Sequence, residues 1–283
     1  MPATTPEWIL MKAITAIGIG VGIGGIMLGA LMEGTNPVSL INIPALLIIT
    51  GGTLGVTMAS TSFDGFKTMP TLAVKAFKGE DHDPSHTIEQ MVELAEKARR
   101  NGLLALEEDV NKIDDAYTKK GLQLVVDGTD SDLVRTILES EIDAMAERHH
   151  HGALNYQSAS GFAPTIGILG TVMGLVVVLS HLDEPSKLGP HIAGAFLATL
   201  YGVGSANIIF LPIANKLKEM SAEEVNHRTM VLEAILSIQA GDNPRVLAEK
   251  LESFVPPKKR GKQSSGGGAP ADAGEPEPLK EAA

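Results

Sequence analysis

Residues 148–183 read RHHHGALNYQSASGFAPTIGILGTVMGLVVVLSHLD, and none of the thirty-four residues between Arg148 and Asp183 is Asp, Glu, Lys or Arg. A helix needs about 20 mostly apolar residues to cross a hydrocarbon core, so this window has room for one crossing and not for two. Three further windows share the property: twenty uncharged residues between Lys12 and Glu33, thirty between Glu33 and Asp64, and twenty-eight between Lys187 and Lys216. Four crossings are expected near Ala13–Met32, Val38–Ser60, Ser160–Leu182 and His191–Ala214. Buried helices of a soluble protein are usually shorter. A signal peptide has a shorter apolar region and is not followed at once by a second one.

Whole-chain composition hides this pattern, because 44% hydrophobic and 20% charged residues are ordinary for a globular protein. The distribution of basic residues sets the orientation. The connections Glu33–Pro37 and Asp183–Pro190 hold one Lys between them, whereas residues 61–155 carry eleven Lys and Arg and the stretch after Asn215 carries ten. By the positive-inside rule both long segments and both termini are expected in the cytoplasm. The absence of cysteine agrees with a reducing compartment. The expected fold is an all-α integral membrane protein, with four transmembrane helices and a helical cytoplasmic domain inserted between the second and third.

The expected division is 1–60 for the first two crossings, 61–155 for the cytoplasmic domain, 156–215 for the last two crossings, 216–255 for cytoplasmic C-terminal helices and 256–283 for a disordered tail. In the central block Phe63–Lys78 opens the domain, and Asp83 and Pro84 punctuate the next element. Helical spacing of Ile88, Met91, Val92, Ala95 and Ala98 predicts a helix over His86–Ala105. Two more are predicted over Glu107–Asp127 and Asp130–His149, the last with Leu133, Ile137, Leu138, Ile142 and Met145 on one face. Lys216–Ile238 reads as a polar helix continuing the fourth crossing, and Asn243–Phe254 as a short helix behind Gly241. The tail combines a basic run, Lys258–Lys262, with Gly, Pro, Ala and Glu. Nineteen acids against eleven bases give the central block a charge of −8, which argues against nucleic acid and leaves a charged protein partner open.

Small residues mark helix-packing seams in lipid, where they let backbones approach closely. Gly18, Gly22, Gly25 and Gly29 share one face of the first crossing; Gly194, Ala198, Gly202 and Ala206 share one of the fourth; the third has Gly167, Gly170, Thr171 and Gly174. Such seams serve either packing within the chain or contacts to other subunits. No ionisable side chain lies inside any crossing, whereas ion-coupled proteins normally carry one there. If the chain moves ions, another chain supplies that group. The polar groups left at depth are the hydroxyls of Thr50, Thr53, Thr57, Thr171, Thr199, Tyr201 and Ser205, suited either to a small cation or carboxylate or to bonding the preceding helical turn. Pro164 and Pro212 each remove a backbone donor, which suits a helix that tilts and equally suits an ordinary helix end.

Four motifs in order, GGTLGVTMAST (51–61), ARRNGLLALEED (98–109), FAPTIGILGTVMGLVVVLSHLDEPSKLGP (162–190) and LATLYGVGSANIIFLPIANKLK (197–218), resemble MotA/PomA-type proteins, the larger stator subunit of the bacterial flagellar motor. The resemblance runs from Met11 to Ala240. It implies a homopentamer in the bacterial inner membrane around a dimer of a MotB/PomB-type single-span partner, whose Asp accepts the ion. It also implies torque on a rotor switch-complex protein. By the same resemblance Arg99, Arg100, Glu107 and Glu108 contact the rotor, Pro164 and Pro212 couple ion occupancy to shape, and Thr171 and Thr199 face the partner's Asp. The translocated ion is H⁺ or Na⁺; threonine at both hydroxyl positions, as in sodium-driven members, tilts the choice toward Na⁺.

No cofactor, metal site or catalytic residue is expected, because no nucleophile–base constellation or phosphate loop is present. His149–His151 reads as a polar helix end at the membrane surface. An ExbB/TolQ-like energiser of outer-membrane transport is the alternative, but such proteins have three crossings with the insert after the first. A self-contained transporter would show an internal repeat and a charged residue at the midplane, and neither is present.

Overall fold

The computed structural model describes residues 7–79 and 84–255, with side chains from residue 15 onward. The tail at 256–283 and Asp83 lie outside the described residues. Every regular element among those described is helical: α1 (Glu7–Met32), α2 (Ile43–Ser60), α3 (Phe63–Lys78), α4 (Pro84–Asn101), α5 (Glu107–Val110), α6 (Ala116–Val126), α7 (Ser131–Leu179), α8 (Pro185–Ser205), α9 (Leu211–Ala240) and α10 (Pro244–Glu252), with short 3₁₀ and π turns between them. Four helical segments are long and apolar enough to cross a membrane: Thr15–Met32, Pro37–Ser60, and the runs containing α7 and α8.

The boundaries depart from the sequence reading where capping or a turn intervenes. The second crossing becomes helical at Ile43 rather than Val38, because Asn42 has extended backbone and its side chain accepts a hydrogen bond from the Ala45 N–H at 3.0 Å. The predicted helix Glu107–Asp127 is two helices, since the Asp115 carboxylate caps α6 by accepting from the Thr118 N–H at 2.7 Å. The predicted His86–Ala105 helix stops at Asn101, where Gly102 takes φ +83°, a conformation that glycine enters without steric cost. Gly241, at φ +75°, ends α9 in the same way.

The largest difference concerns α7. The predicted helix Asp130–His149 and the third crossing are one continuous helix of 49 residues, about 73 Å long at 1.5 Å per residue. His149–His151 therefore lies in the middle of a helix, not at its end. The polar stretch that follows the histidines stays helical because it docks α3. Asn155 accepts from the Thr61 hydroxyl at 2.8 Å and donates to the Gly65 carbonyl at 3.3 Å, and the Tyr156 hydroxyl donates to the Met69 carbonyl at 2.6 Å. Helices α8 and α9 likewise form one run, Pro185–Ala240, interrupted by a π turn at Ala206–Phe210.

Two clusters of buried side chains organise the chain. The larger gathers Met91 from α4, Leu106, Leu122 from α6, Leu138 from α7, Ile235 from α9 and Leu251 from α10. Residues before the third crossing and after the fourth thus share one core, held mainly by burial worth about 1.5–3 kcal/mol for each large aliphatic side chain. At its edge Glu233 on α9 meets Arg135 of α7 at 3.2 Å and Lys250 of α10 at 2.6 Å. Burial pushes the Glu233 carboxyl up, but the two cations outweigh it and hold the group below the usual carboxylate range. The smaller cluster joins Met69 and Ala76 of α3 to Ala153 and Tyr156 of α7 and Ile213, Ala214 and Leu217 of α9. Long α7 and α9 therefore run side by side from the apolar spans into the larger core.

Candidate functional site: a hydroxyl pair in the α7–α8 seam

Helices α7 and α8 touch backbone to backbone. A Cβ added at Gly202 would stand 2.5 Å from the Ala163 carbonyl oxygen and 3.0 Å from the Gly167 Cα, and one at Gly167 would stand 3.1 Å from the Ala198 carbonyl oxygen. Further along, a Cβ at Gly174 would lie 2.6 Å from the Ala195 Cβ. The small residues of the third and fourth crossings are therefore one intramolecular seam. The glycines of α1 behave differently, since an added Cβ at Gly18, Gly22, Gly25 or Gly29 meets nothing within 4 Å.

This closeness brings Thr171 and Thr199 together. Their hydroxyl oxygens are in direct hydrogen-bond contact. The Thr171 Oγ1 also lies 3.0 Å from the Ala195 carbonyl and 3.1 Å from the Gly167 carbonyl, and the Thr199 Oγ1 lies 3.5 Å from the latter. Each hydroxyl has one proton to give, so these contacts are alternatives. Two hydroxyl and two carbonyl oxygens converge in a half-buried cluster between two helices. Such a cluster can donate to a carboxylate or present oxygen to a small hard cation.

The other hydroxyls expected at membrane depth do something else. Thr50 donates to the Leu46 carbonyl at 2.6 Å, Thr57 to the Thr53 carbonyl at 2.7 Å and Ser205 to the Gly202 carbonyl at 3.1 Å, all within their own helices. Tyr201 is a staple: its hydroxyl donates to the Leu40 carbonyl and accepts from the Asn42 N–H at 2.9 Å, tying the connection before α2 to α8. The Thr53 hydroxyl, 1% exposed, has no partner among the described residues.

The two prolines lie on the two long helical runs, Pro164 within unbroken α7 and Pro212 just after the π turn. Pro164 lies inside α7, directly after Ala163, whose carbonyl marks the tightest approach of α8. Pro212 follows the π turn, in which the Leu211 N–H bonds to the Ala206 carbonyl, five residues back. A proline ring collides with the carbonyl four residues before it, and a widened turn relieves that collision. The π turn and Pro212 also line a cleft that contains Gly18 and Gly22 of α1.

Arg99, Arg100, Glu107 and Glu108 lie far along the chain from the seam, at the end of α4 and the start of α5, and all four are exposed. The Arg100 guanidinium bonds to Glu96 at 3.3 Å. Among the described residues no ion pair joins the basic pair to the acidic pair. The segment that separates them is fixed by two residues the sequence reading passed over, because Lys97 on α4 is ion-paired with Asp109 on α5. The Lys97 hydrogen bond, against the opposing effect of burial and with help from Lys112, holds the Asp109 carboxyl below its ordinary range.

Residues 109–230 match the model of the MotA/TolQ/ExbB proton channel family. Motility protein A of Borreliella burgdorferi is 38% identical over 255 residues, an alignment that covers 90% of this chain and 98% of that protein. The chain belongs to the MotA family. The structure of the flagellar MotAB stator complex from Bacillus subtilis superposes with a TM-score of 0.82 at 38% identity, covering 87% of this chain and 96% of that one. The structure of C. jejuni MotAB gives a TM-score of 0.85 at 31% identity, covering 89% and 99%. The matched segment at 109–230 holds Thr171, Thr199, Pro164 and Pro212, whereas Arg99, Arg100, Glu107 and Glu108 precede it. Because MotA relatives align along nearly the whole chain, first two apolar helices included, the ExbB/TolQ reading has less support than the MotA one.

Proposed function

We propose that this flagellar stator subunit forms the wall of an ion path whose titratable group belongs to a MotB/PomB-type single-span partner, and that ion passage drives torque on a rotor switch-complex protein. The observation that carries this reading is the contrast inside the spans. They contain no Asp, Glu, Lys or Arg between positions 13–32, 34–63, 149–182 and 188–215, yet two hydroxyls from different helices converge at Thr171 and Thr199. A hydroxyl pair stabilises a passing carboxylate by donation when the acid is charged, and gives oxygen to a Na⁺ when that is the coupling ion. The family points to H⁺; the paired threonines favour Na⁺.

In this account residues 61–155 and 216–255 form a cytoplasmic helical domain, both termini are cytoplasmic, and the membrane is the bacterial inner membrane. The chain acts as a homopentamer in contact with lipid and with the partner dimer. Pro164 within α7 and Pro212 at the start of α9 let these helices tilt when the partner's acid changes charge, and continuous α7 carries that tilt about 33–45 Å from Pro164 to its residues Ile142–Val134 in the larger core. Arg99, Arg100, Glu107 and Glu108 then meet charges on the rotor.

The test is motility in the parent cell with the partner co-expressed. Thr199→Ala is expected to lower swimming speed at fixed membrane level of the protein, with a steeper dependence on external sodium if Na⁺ is the ion. Arg99→Glu and Glu107→Lys are each expected to impair swimming while membrane assembly is kept. Unchanged speed across ion gradients in Thr199→Ala removes that residue from the path, and normal motility in both charge reversals removes the rotor contact.

A further inference from the structure

The turn between α7 and α8 brings together two histidines that the ion path does not use. His181 lies in the turn, His191 lies two turns into α8, and their ring centroids are 5.3 Å apart with planes tilted by 36°. The Nδ1 of His181 is 2.9 Å from the Val177 carbonyl oxygen. The Ser180 hydroxyl lies 3.0 Å from the same nitrogen, so Nδ1 either donates to the carbonyl, which leaves the Nε2 lone pair free, or accepts from Ser180; a metal ion at Nε2 selects the first tautomer. Donation from one ring nitrogen to a backbone carbonyl orients histidine ligands in metal sites.

We propose that His181 and His191 form a two-histidine site for a divalent transition-metal ion of borderline softness, such as Zn²⁺ or Cu²⁺. Metal–nitrogen bonds of about 2.0–2.1 Å place each ring centroid about 3.2 Å from the ion, and a tetrahedral angle then separates the two centroids by about 5.2 Å. The observed centroid separation of 5.3 Å matches that spacing. No third protein ligand stands among the described residues, so water completes the coordination and the site stays exchangeable. The adjacent pair His150 and His151 makes a useful contrast, because its centroids are 6.2 Å apart with planes at 58°, and neighbours on one helix point to different sides.

A metal ion at this site clamps the end of α7 to α8. His181 stands about 15 Å along α7 from Thr171 and His191 about 12 Å along α8 from Thr199, at 1.5 Å per residue. The clamp therefore stiffens the same hairpin that carries the hydroxyl pair. Binding itself does not depend on the proposed ion path, so the two ideas fail separately.

The experiment is Cu²⁺ titration of the full chain in detergent, read by electron paramagnetic resonance, with Zn²⁺ as competitor. One Cu²⁺ per chain with hyperfine splitting from two nitrogens is expected, displaced by excess Zn²⁺ and retained in a variant carrying both His150→Gln and His151→Gln. His181→Gln and His191→Gln should each lose the two-nitrogen signal and bind at least about tenfold more weakly, a loss of about 1.4 kcal/mol. Survival of that signal in either single variant, or its disappearance in the His150 and His151 variant, overturns the site. A second measurement needs no substitution: Zn²⁺ should protect His181 and His191 of the unaltered chain from carbethoxylation, and equal labelling with and without Zn²⁺ overturns the proposal as well.

Discussion

Gly167, Gly170 and Gly174 on α7 and Gly18, Gly22, Gly25 and Gly29 on α1 are spaced alike, at three or four residues. A methyl group added to the first set would strike α2 or α8, whereas one added to the second would meet nothing within 4 Å. The same sequence pattern thus has two physical meanings. In the α7–α8 hairpin the small residues are consumed within the chain and set the distance at which Thr171 and Thr199 touch. On α1 they touch no neighbour: Gly18 and Gly22 border the open cleft beside the π turn and Pro212, and the row leaves room for a neighbouring subunit or partner helix to approach. Spacing alone reveals that a seam exists, and the tertiary structure decides whose seam it is.

The sharpest way to break this comparison is to fill each seam in turn. Gly202→Leu forces a side chain against the Ala163 carbonyl, which is backbone and cannot rotate away; overpacking of this kind costs about 1–3 kcal/mol or more. The thermal midpoint of the detergent-solubilised chain should fall sharply or folded protein should fail to accumulate. Gly22→Leu should change that midpoint little, within about 0.5 kcal/mol, but reduce the assembled mass seen by size exclusion with light scattering. Equal destabilisation by both substitutions would show that α1 is packed within the chain.

A smaller effect is expected from the hydroxyls themselves. Thr171→Val keeps the shape and removes one hydrogen-bonding group, so stability should drop by about 1 kcal/mol, measured by the same thermal unfolding, while Thr50→Val, which loses only a bond to its own helix, should cost less.

The larger buried core offers a pH test of similar or smaller size. Glu233 has its folded-state pKa lowered, so its contribution is present at neutral pH, above the unfolded carboxylate value, and is lost as pH falls through that value toward the lowered one. Glu233→Gln should therefore lower the thermal midpoint at pH 7 by an amount equivalent to about 1 kcal/mol or less, given its partly exposed partners. The difference from the parent chain should shrink as the medium is acidified below pH 4. A constant difference across that range would remove Glu233 from the acid response.

Much of this was legible beforehand, and what was missed has physical causes. Charge-free windows gave the four apolar spans because the cost of burying a charge in lipid leaves a mark at every position. The continuity of α7 is not legible in the sequence because His149–Ser160 is polar, and the α3 and α9 surfaces that pack on this stretch come from distant parts of the chain. The shared core of α4, α6, α7, α9 and α10 joins residues well over a hundred positions apart, which helical periodicity does not report. Thr171 and Thr199 were visible as hydroxyls and were singled out by resemblance, but their contact depends on the glycines between the helices. Tyr201 looked like the same kind of group and proved to be a staple. His181 and His191, ten positions apart, carry no signal until the turn after α7 folds them together.

The central claim is that the charge at membrane depth belongs to the partner and is held by the Thr171–Thr199 pair. Infrared difference spectroscopy of the complex and of the chain alone tests it most directly, through the carbonyl stretch of a protonated carboxyl in an apolar site. A titrating carboxyl band is predicted in the complex, absent from the chain alone, and shifted by Thr199→Val. The same band in the chain alone, or a band in the complex that Thr199→Val leaves unmoved, would contradict the account.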